Sequence, residues 1–272
     1  MHERSTNIDH PRRIALVRRP APALAERCEL TFLERSAIDF ATLERQHAGY
    51  RAALAEAGAE VVTLEAIEAL PDSVFVEDAA VVLDGIAVLT RPGVASREAE
   101  PEAITSALAA WRPLQRIQAP GTLDGGDVLR IGRRLFVGLT TRSNRNGIDQ
   151  LAALAAPLGY TVTAVAVPGS LHLKTACTAL DDETLLLNPA WIDPAAFAGF
   201  RILTVDGDEP FAANVLPIGD ARIVNAAFLR TRERVEAFCT SAGLRAIATD
   251  ISEFGKAEAG LTCLSMVFDA TR

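Results

Sequence analysis

Thr122-Leu123-Asp124-Gly125-Gly126-Asp127-Val128-Leu129 sets two carboxylates around a glycine pair, at the point where a polar loop becomes an apolar strand. Acids placed there are tied to a scaffold, while glycine lets the backbone turn tightly or approach a ligand closely. The arrangement recurs along the chain. Glu77-Asp78 precedes Ala79-Ala80-Val81-Val82, His172-Leu173-Lys174 precedes Thr175-Ala176-Cys177-Thr178, Asn214 opens Val215-Leu216, and Cys263 opens Leu264-Ser265-Met266-Val267. Side chains able to do chemistry thus stand repeatedly at the entrance of a short strand.

Each entrance leads into a hairpin, a helix and a returning strand. After Glu77-Asp78 come Ala79 to Leu83, a turn at Asp84-Gly85, Ile86 to Thr90, a helix around Glu102 to Trp111 and a strand from Leu114 to Ile117. Asp-Gly is read as a two-residue turn because it tolerates left-handed dihedrals. The next three units turn at Gly132-Arg133, Asp181-Asp182 and Gly219-Asp220, and their return strands are Thr161 to Val167, Arg201 to Val205 and Leu244 to Thr249. A fifth hairpin is split between the ends of the chain, with Thr262 to Phe268 pairing with Ile14 to Val17. A helix begun by a capping box at Ser36 and Asp39 and stopped near Gly58 follows, then the strand Glu60 to Leu64.

Five such units, the last shared by both termini, predict a five-bladed α/β propeller formed by one domain over residues 1–272, since a closed circle removes edge strands. A doubly wound parallel sheet fits the alternation of strands and helices but accounts poorly for the repeated tight turns. In the ring, the mouths of the first strands converge, which brings Glu77, Asp78, Asp124, Asp127, His172, Asn214 and Cys263 around one cavity. The stretch Pro22 to Ser36 has no clean period and reads as a loop that moves.

Composition narrows the function. A 272-residue chain with 49% hydrophobic residues can bury a large core without disulfides. Cys28, Cys177, Cys239 and Cys263 show no close CxxC spacing, and reduced thiols are expected. Neither a membrane-length apolar run nor a signal-peptide core is present, so a cytoplasmic protein is expected. The net charge of −8 works against nucleic-acid binding and suits a small cationic substrate. Four scattered histidines make no metal-ligand constellation, and Gly125-Gly126 is too short for a nucleotide fingerprint. No cofactor is expected. A homodimer is allowed by the sequence and not demanded by it.

Each candidate residue also has a plainer reading. A lone cysteine such as Cys263 is commonly a buried small hydrophobe; beside His172 and Asp124 it becomes a nucleophile whose pKa an imidazolium can lower. His172 alone among the four histidines stands at a unit mouth and titrates near neutrality, the range needed to protonate a leaving amine and activate water. Asp124 either orients that imidazole, pairs with a cationic substrate or serves its own turn, and Asp127 favours a structural role. Glu77 and Asp78 repel one another unless a cation or proton lies between them, and a planar guanidinium matches paired carboxylate oxygens. Arg97 and Arg142 are surface arginines or, if they face the cavity, anion binders. Together these groups point to a zwitterionic ligand with a cationic far end.

The chain resembles the dimethylarginine dimethylaminohydrolases of the guanidine-modifying, or pentein, superfamily. The matching stretches are Leu70 to Asp78, Leu89 to Gly93 with Ser96-Arg97, Thr122 to Leu129, Phe136 to Leu139 with Arg142 and Asn144, Leu171 to Lys174, Ser252-Glu253-Phe254 with Lys256, and Leu261-Thr262-Cys263. The resemblance implies a five-bladed propeller with Cys263 as nucleophile, His172 as general acid and base, and Asp124 completing the triad. It further implies that Glu77 and Asp78 bind the guanidinium, Asp72 the α-ammonium, and Arg97 with Arg142 the α-carboxylate, with Leu30 in a lid over the site. The implied reaction converts asymmetric dimethylarginine or monomethylarginine to citrulline and the methylated amine through an S-alkylthiouronium, without metal or organic cofactor. An arginine deiminase is the nearest alternative, but that branch has an aspartate two residues after the histidine, where this chain has Lys174. A non-enzymatic module binding arginine derivatives would require Cys263 to be idle.

Overall fold

One pattern of three strands recurs five times in the computed structural model, which describes residues 12–270. The strands in chain order are β1 (Arg13–Arg18), β2 (Glu60–Leu64), β3 (Ala80–Val82), β4 (Ala87–Leu89), β5 (Leu114–Arg116), β6 (Val128–Ile131), β7 (Arg134–Leu139), β8 (Thr161–Ala166), β9 (Cys177–Ala179), β10 (Thr184–Leu187), β11 (Arg201–Thr204), β12 (Leu216–Ile218), β13 (Ala221–Asn225), β14 (Arg245–Thr249) and β15 (Met266–Asp269). They form the sheets β15-β1-β2, β3-β4-β5, β6-β7-β8, β9-β10-β11 and β12-β13-β14. In each, the first pair is antiparallel and the second parallel. A parallel pair needs a crossover, and helices supply it, as Phe40–Glu56 does between β1 and β2. The chain ends meet in the first sheet, where Ile14 lies opposite Phe268 and Leu16 opposite Met266.

Apolar side chains on the strands and crossover helices gather into five clusters, each at a seam between two units. Ile14, Leu16 and Met266 meet Ala80 and Leu89; Val81 and Val88 meet Val128 and Leu135. Leu129 and Phe136 meet Leu185 and Leu187, and Leu186 meets Val215 and Val224. The fifth cluster joins the first unit to the last through Ala15, Val17, Leu43, Tyr50, Leu216 and Ile223.

Local chemistry sets the element ends, with some departures from the sequence-based expectation. Asp39 alone caps the helix Phe40–Glu56, its carboxylate accepting from the Ala41 and Thr42 N–H groups, and Ser36 takes no part in that cap. The helix stops where Gly58 adopts φ +92°. The Asp84-Gly85 turn is closed by Leu83 N–H donating to Ile86 O at 2.9 Å, but Gly85 does not adopt a positive φ, whereas Gly132 and Gly219 do. The stretch 22–36 contains one helical turn, Leu24–Arg27, before its irregular remainder.

The main departure lies at the strand mouths. The reactive residues do not sit on the strands themselves but on, or directly before, single helical turns: Val76–Ala79, Gly125–Asp127, Leu173–Ala176 and Thr262–Leu264. Thr175 and Ala176 therefore belong to a turn, and β15 begins only at Met266. Hydrogen bonds and close backbone approaches bind these turns to one another, and they form the floor of the site.

Candidate active site

Gly125 and Gly126 determine how closely the turns approach. A Cβ on Gly125 would strike the Glu77 carbonyl oxygen. A Cβ on Gly126 would lie 2.6 Å from His172 Nδ1 and 2.7 Å from Asp78 Oδ1. Asp127 fixes the same region from beneath, as its plainer reading expects. Its carboxylate accepts from Thr140 Oγ1 at 2.7 Å, Ser143 Oγ at 2.6 Å and Leu173 N–H at 2.9 Å.

The imidazole of His172 stands between two acids. Its Nε2 is 3.1 Å from Asp124 Oδ2 and its Nδ1 is 3.9 Å from Asp78 Oδ1. Burial alone would lower its pKa, but the charge of Asp78 and the hydrogen bond to Asp124 outweigh that and raise it to about 9. The ring is therefore an imidazolium at neutral pH. Burial likewise opposes ionisation of Asp78, yet His172 and Arg97 hold its pKa below the usual carboxylate range. Asp78 also accepts Gly126 N–H at 2.8 Å.

Cys263 lies on the Thr262–Leu264 turn, nearly buried, and Gly260 N–H donates to its Sγ at 3.4 Å. Burial first, then the negative charge of Glu77 and Asp78, pushes the thiol pKa up. The sulfur is accordingly a thiol. Cys177 is wholly buried and its pKa is raised by burial. Asp72, Asp78, Arg97, Arg142, His172 and Cys263 line one pocket, together with Glu29, Phe75, Leu171, Ala257, Glu258 and Ala259. Its cavity volume is about 20 Å³, room for a water molecule and too little for an amino acid.

The segment 29–33 is hydrogen-bonded to two residues that line the pocket. Glu29 N–H donates to both oxygens of Asp72, at 3.2 and 3.0 Å, and Arg142 Nη2 donates to Thr31 Oγ1 at 2.9 Å. Arg142 Nη1 is buried without a hydrogen-bond partner, 3.8 Å from Asp124 Oδ2. Leu30 turns the other way and packs on the apolar seam between the first and last units. Arg97 is already doubly engaged, by Asp78 at 2.8 Å and by Glu100 at 2.7 Å. Glu100 escaped the sequence reading, although its i,i+3 spacing from Arg97 at the start of a helix marks it. Thr31 and Glu29 carried no comparable signal.

Neighbouring residues in the chain face different cavities. Asp78 and Cys263 line the small pocket, while Glu77 and Thr262 line a second cavity of about 400 Å³ with Lys174. Glu77 accepts from Lys174 Nζ at 2.5 Å and Thr262 Oγ1 at 2.7 Å. Asn214 braces this group, donating to Lys174 O and Thr262 Oγ1 and accepting Thr262 N–H. Of the residues expected to hold a guanidinium, Asp78 thus faces His172 and Cys263, and Glu77 faces Lys174. Donor atoms of Asp78, Asp124 and His172 lie within 4.8 Å of one another, a set able to hold a metal ion or a planar organic cation. Among the described residues all four cysteines are free, and no helix is long and apolar enough to cross a membrane.

Comparison with known proteins places this geometry. The family model described as arginine deiminase matches residues 66–211. A dimethylarginine dimethylaminohydrolase of Streptomyces coelicolor is 40% identical over 94% of this chain and 97% of its own length. Another, of Pseudomonas aeruginosa, is 32% identical over 93% of this chain and 98% of its own. A solved structure of a Cys-to-Ser variant of the Pseudomonas aeruginosa enzyme complexed with citrulline superposes with a TM-score of 0.88, covering 93% of this chain and 98% of that one at 32% identity. The chain belongs to the dimethylarginine dimethylaminohydrolase family and is an enzyme of the amidinohydrolase class.

Proposed function

We propose that this protein hydrolyses Nω,Nω-dimethyl-L-arginine, and Nω-monomethyl-L-arginine, to L-citrulline and dimethylamine or methylamine. The observation that carries the proposal is the single pocket lined by Cys263, His172 and Asp78 together with Asp72 and Arg142. An acid beside an imidazole and a thiol suits a guanidinium head, and an acid with an arginine suits an amino-acid tail. Citrulline in the Pseudomonas aeruginosa structure lends support. The pairing of β1 with β15 and the five seams support a closed five-bladed ring in a single domain. The small cavity beneath 29–33 supports a lid within 22–36.

In this mechanism the substrate guanidinium settles against Asp78, and its positive charge beside Cys263 lowers the thiol pKa until the proton is lost to solvent. The thiolate attacks the central guanidinium carbon, forming a C–S bond as one C=N electron pair moves to nitrogen. Nε2 of His172 is held by Asp124, which leaves Nδ1 to protonate the methylated nitrogen. The C–N bond breaks, the amine departs, and an S-alkylthiouronium cation remains opposite Asp78. The neutral imidazole then takes a proton from water, the hydroxide adds to the same carbon, and C–S cleavage returns the thiolate. Loss of the hydroxyl proton completes the ureido group of citrulline. Binding holds the reacting atoms together, and the fixed acids stabilise the cationic intermediate.

An arginine deiminase activity is disfavoured because Lys174, not a carboxylate, stands two residues after His172 and neutralises Glu77. A binding module would leave Cys263 idle. Acid quenching during turnover of dimethylarginine, followed by mass spectrometry of the Cys263 peptide, should trap a thiouronium adduct. A peptide that stays unmodified throughout turnover overturns the covalent route.

A further inference from the structure

Glu258 is the only non-glycine residue at positive φ among the described residues, at +60°. It stands five positions before Cys263, lines the small pocket, and serves none of the steps above. Its carboxylate accepts three consecutive N–H groups of the segment over the site: Thr31 at 3.0 and 3.1 Å, Phe32 at 2.5 Å and Leu33 at 2.5 Å. Three amides converging on one carboxylate form a charge-assisted clasp. The carboxylate reaches them because the backbone turns left-handed at Glu258, a conformation that glycine adopts more readily.

The clasp fixes the groups that occupy the substrate's place. Thr31, held through its N–H, presents its hydroxyl to Arg142, and Glu29, two residues earlier, presents its N–H to Asp72. Farther along the segment the anchors also come from the 252–258 stretch: Glu253 accepts Asp39 N–H and Lys256 Nζ donates to Ala37 O. The same stretch runs into Gly260, whose N–H touches Cys263 Sγ. One strip of chain therefore carries both the sulfur and the fastenings of the cover.

We infer that Glu258 is a positioning residue, the latch that holds residues 29–33 closed over the site and sets how readily substrate enters and leaves. The inference rests on the hydrolase reading for its kinetic consequence alone. It differs from the resting role of Leu30, whose contact is apolar packing. Oε1 accepts from all three amides and Oε2 from Thr31 as well; the carboxamide introduced by Glu258→Gln removes the negative charge and replaces one of these oxygens with an N–H donor facing Thr31 N–H. Glu258→Gly removes the carboxylate at no cost to the left-handed backbone, so the fold survives the test.

Hydrogen exchange of amides 31–33 reads the latch without reference to activity. Glu258→Gly should exchange at least tenfold faster than wild type there, with Glu258→Gln intermediate, while the helix Arg145–Ala155 keeps its protection. With dimethylarginine as substrate, KM should rise in the same order, by more than kcat falls. Unchanged exchange at 31–33 in Glu258→Gly overturns the latch, and so does faster exchange accompanied by wild-type KM and kcat. If the wild type fails to turn over methylarginines, the hydrolase reading falls and the exchange comparison alone decides the latch.

Discussion

Lys174 Nζ stands 2.5 Å from Glu77 Oε1, and the two side chains are only 13% and 12% exposed. Burial raises the Glu77 pKa, and the charge of Lys174 opposes the rise. Lys174→Met leaves a buried carboxylate without its cation and should cost about 3 kcal/mol at neutral pH, since breaking a buried pair is worse than removing it. Adding Glu77→Gln should restore most of the loss. Urea unfolding of the two variants checks this, and equal midpoints for wild type and Lys174→Met would count against it.

His172 gives the protein a definite pH response. Its pKa rises from 6.5 to about 9 on folding, so its stabilising contribution is fully present below pH 6.5 and is lost as pH climbs through about 9. The loss should be on the order of 3 kcal/mol. Denaturation of wild type and His172→Gln across that range isolates it, because the variant should lack that component. An NMR titration of the His172 ring with a midpoint near 6.5 would contradict the argument.

The glycine pair predicts two unequal failures. Gly125→Ala drives a methyl group into the Glu77 carbonyl, a backbone atom that cannot step aside. It should destabilise the fold by about 3 kcal/mol or more. Gly126→Ala meets the movable side chains of His172 and Asp78 instead. It should stay folded and lose activity by about 100-fold through misplacement of the imidazole. Circular dichroism and turnover measured on both variants separate the cases, and a fully active Gly126→Ala would show that the His172 position is not critical.

Those same glycines show what the sequence disclosed. Short apolar runs behind polar mouths, with turn residues between them, made the five-unit order and the pairing of β1 with β15 legible, because strand periodicity and turn chemistry are local properties. The single helical turns before the strands were hidden. Four-residue turns such as Leu173–Ala176 carry no period, and tertiary contacts, such as Asp127 accepting Leu173 N–H, decide them. The gathering of Cys263, His172, Asp124 and Asp78 followed from the repeat. The different facing of Glu77 and Asp78 did not, since it depends on Lys174 and Thr262 reaching from other units. Thr31 and Glu29 were likewise invisible, as their roles exist only once the 29–33 segment is laid over the pocket.

Removal of the reacting groups should abolish turnover and spare the structure. Cys263→Ser substitutes a hydroxyl that is far less ionised and should form no detectable citrulline. His172→Ala should lower kcat by about 10²–10⁴-fold, the usual share of acid–base catalysis. Citrulline assays alongside thermal melting test both, and wild-type rates in Cys263→Ser would remove the sulfur from the mechanism.

By the proposed mechanism the pocket processes a methylated guanidinium and releases the methylated amine. The direct measurement compares wild-type protein on dimethylarginine and on arginine at equal concentration, with citrulline, dimethylamine and ammonia quantified together. Dimethylamine release matched one-to-one by citrulline, and much faster than ammonia release from arginine, is the predicted result. Ammonia release from arginine outrunning dimethylamine release would contradict it.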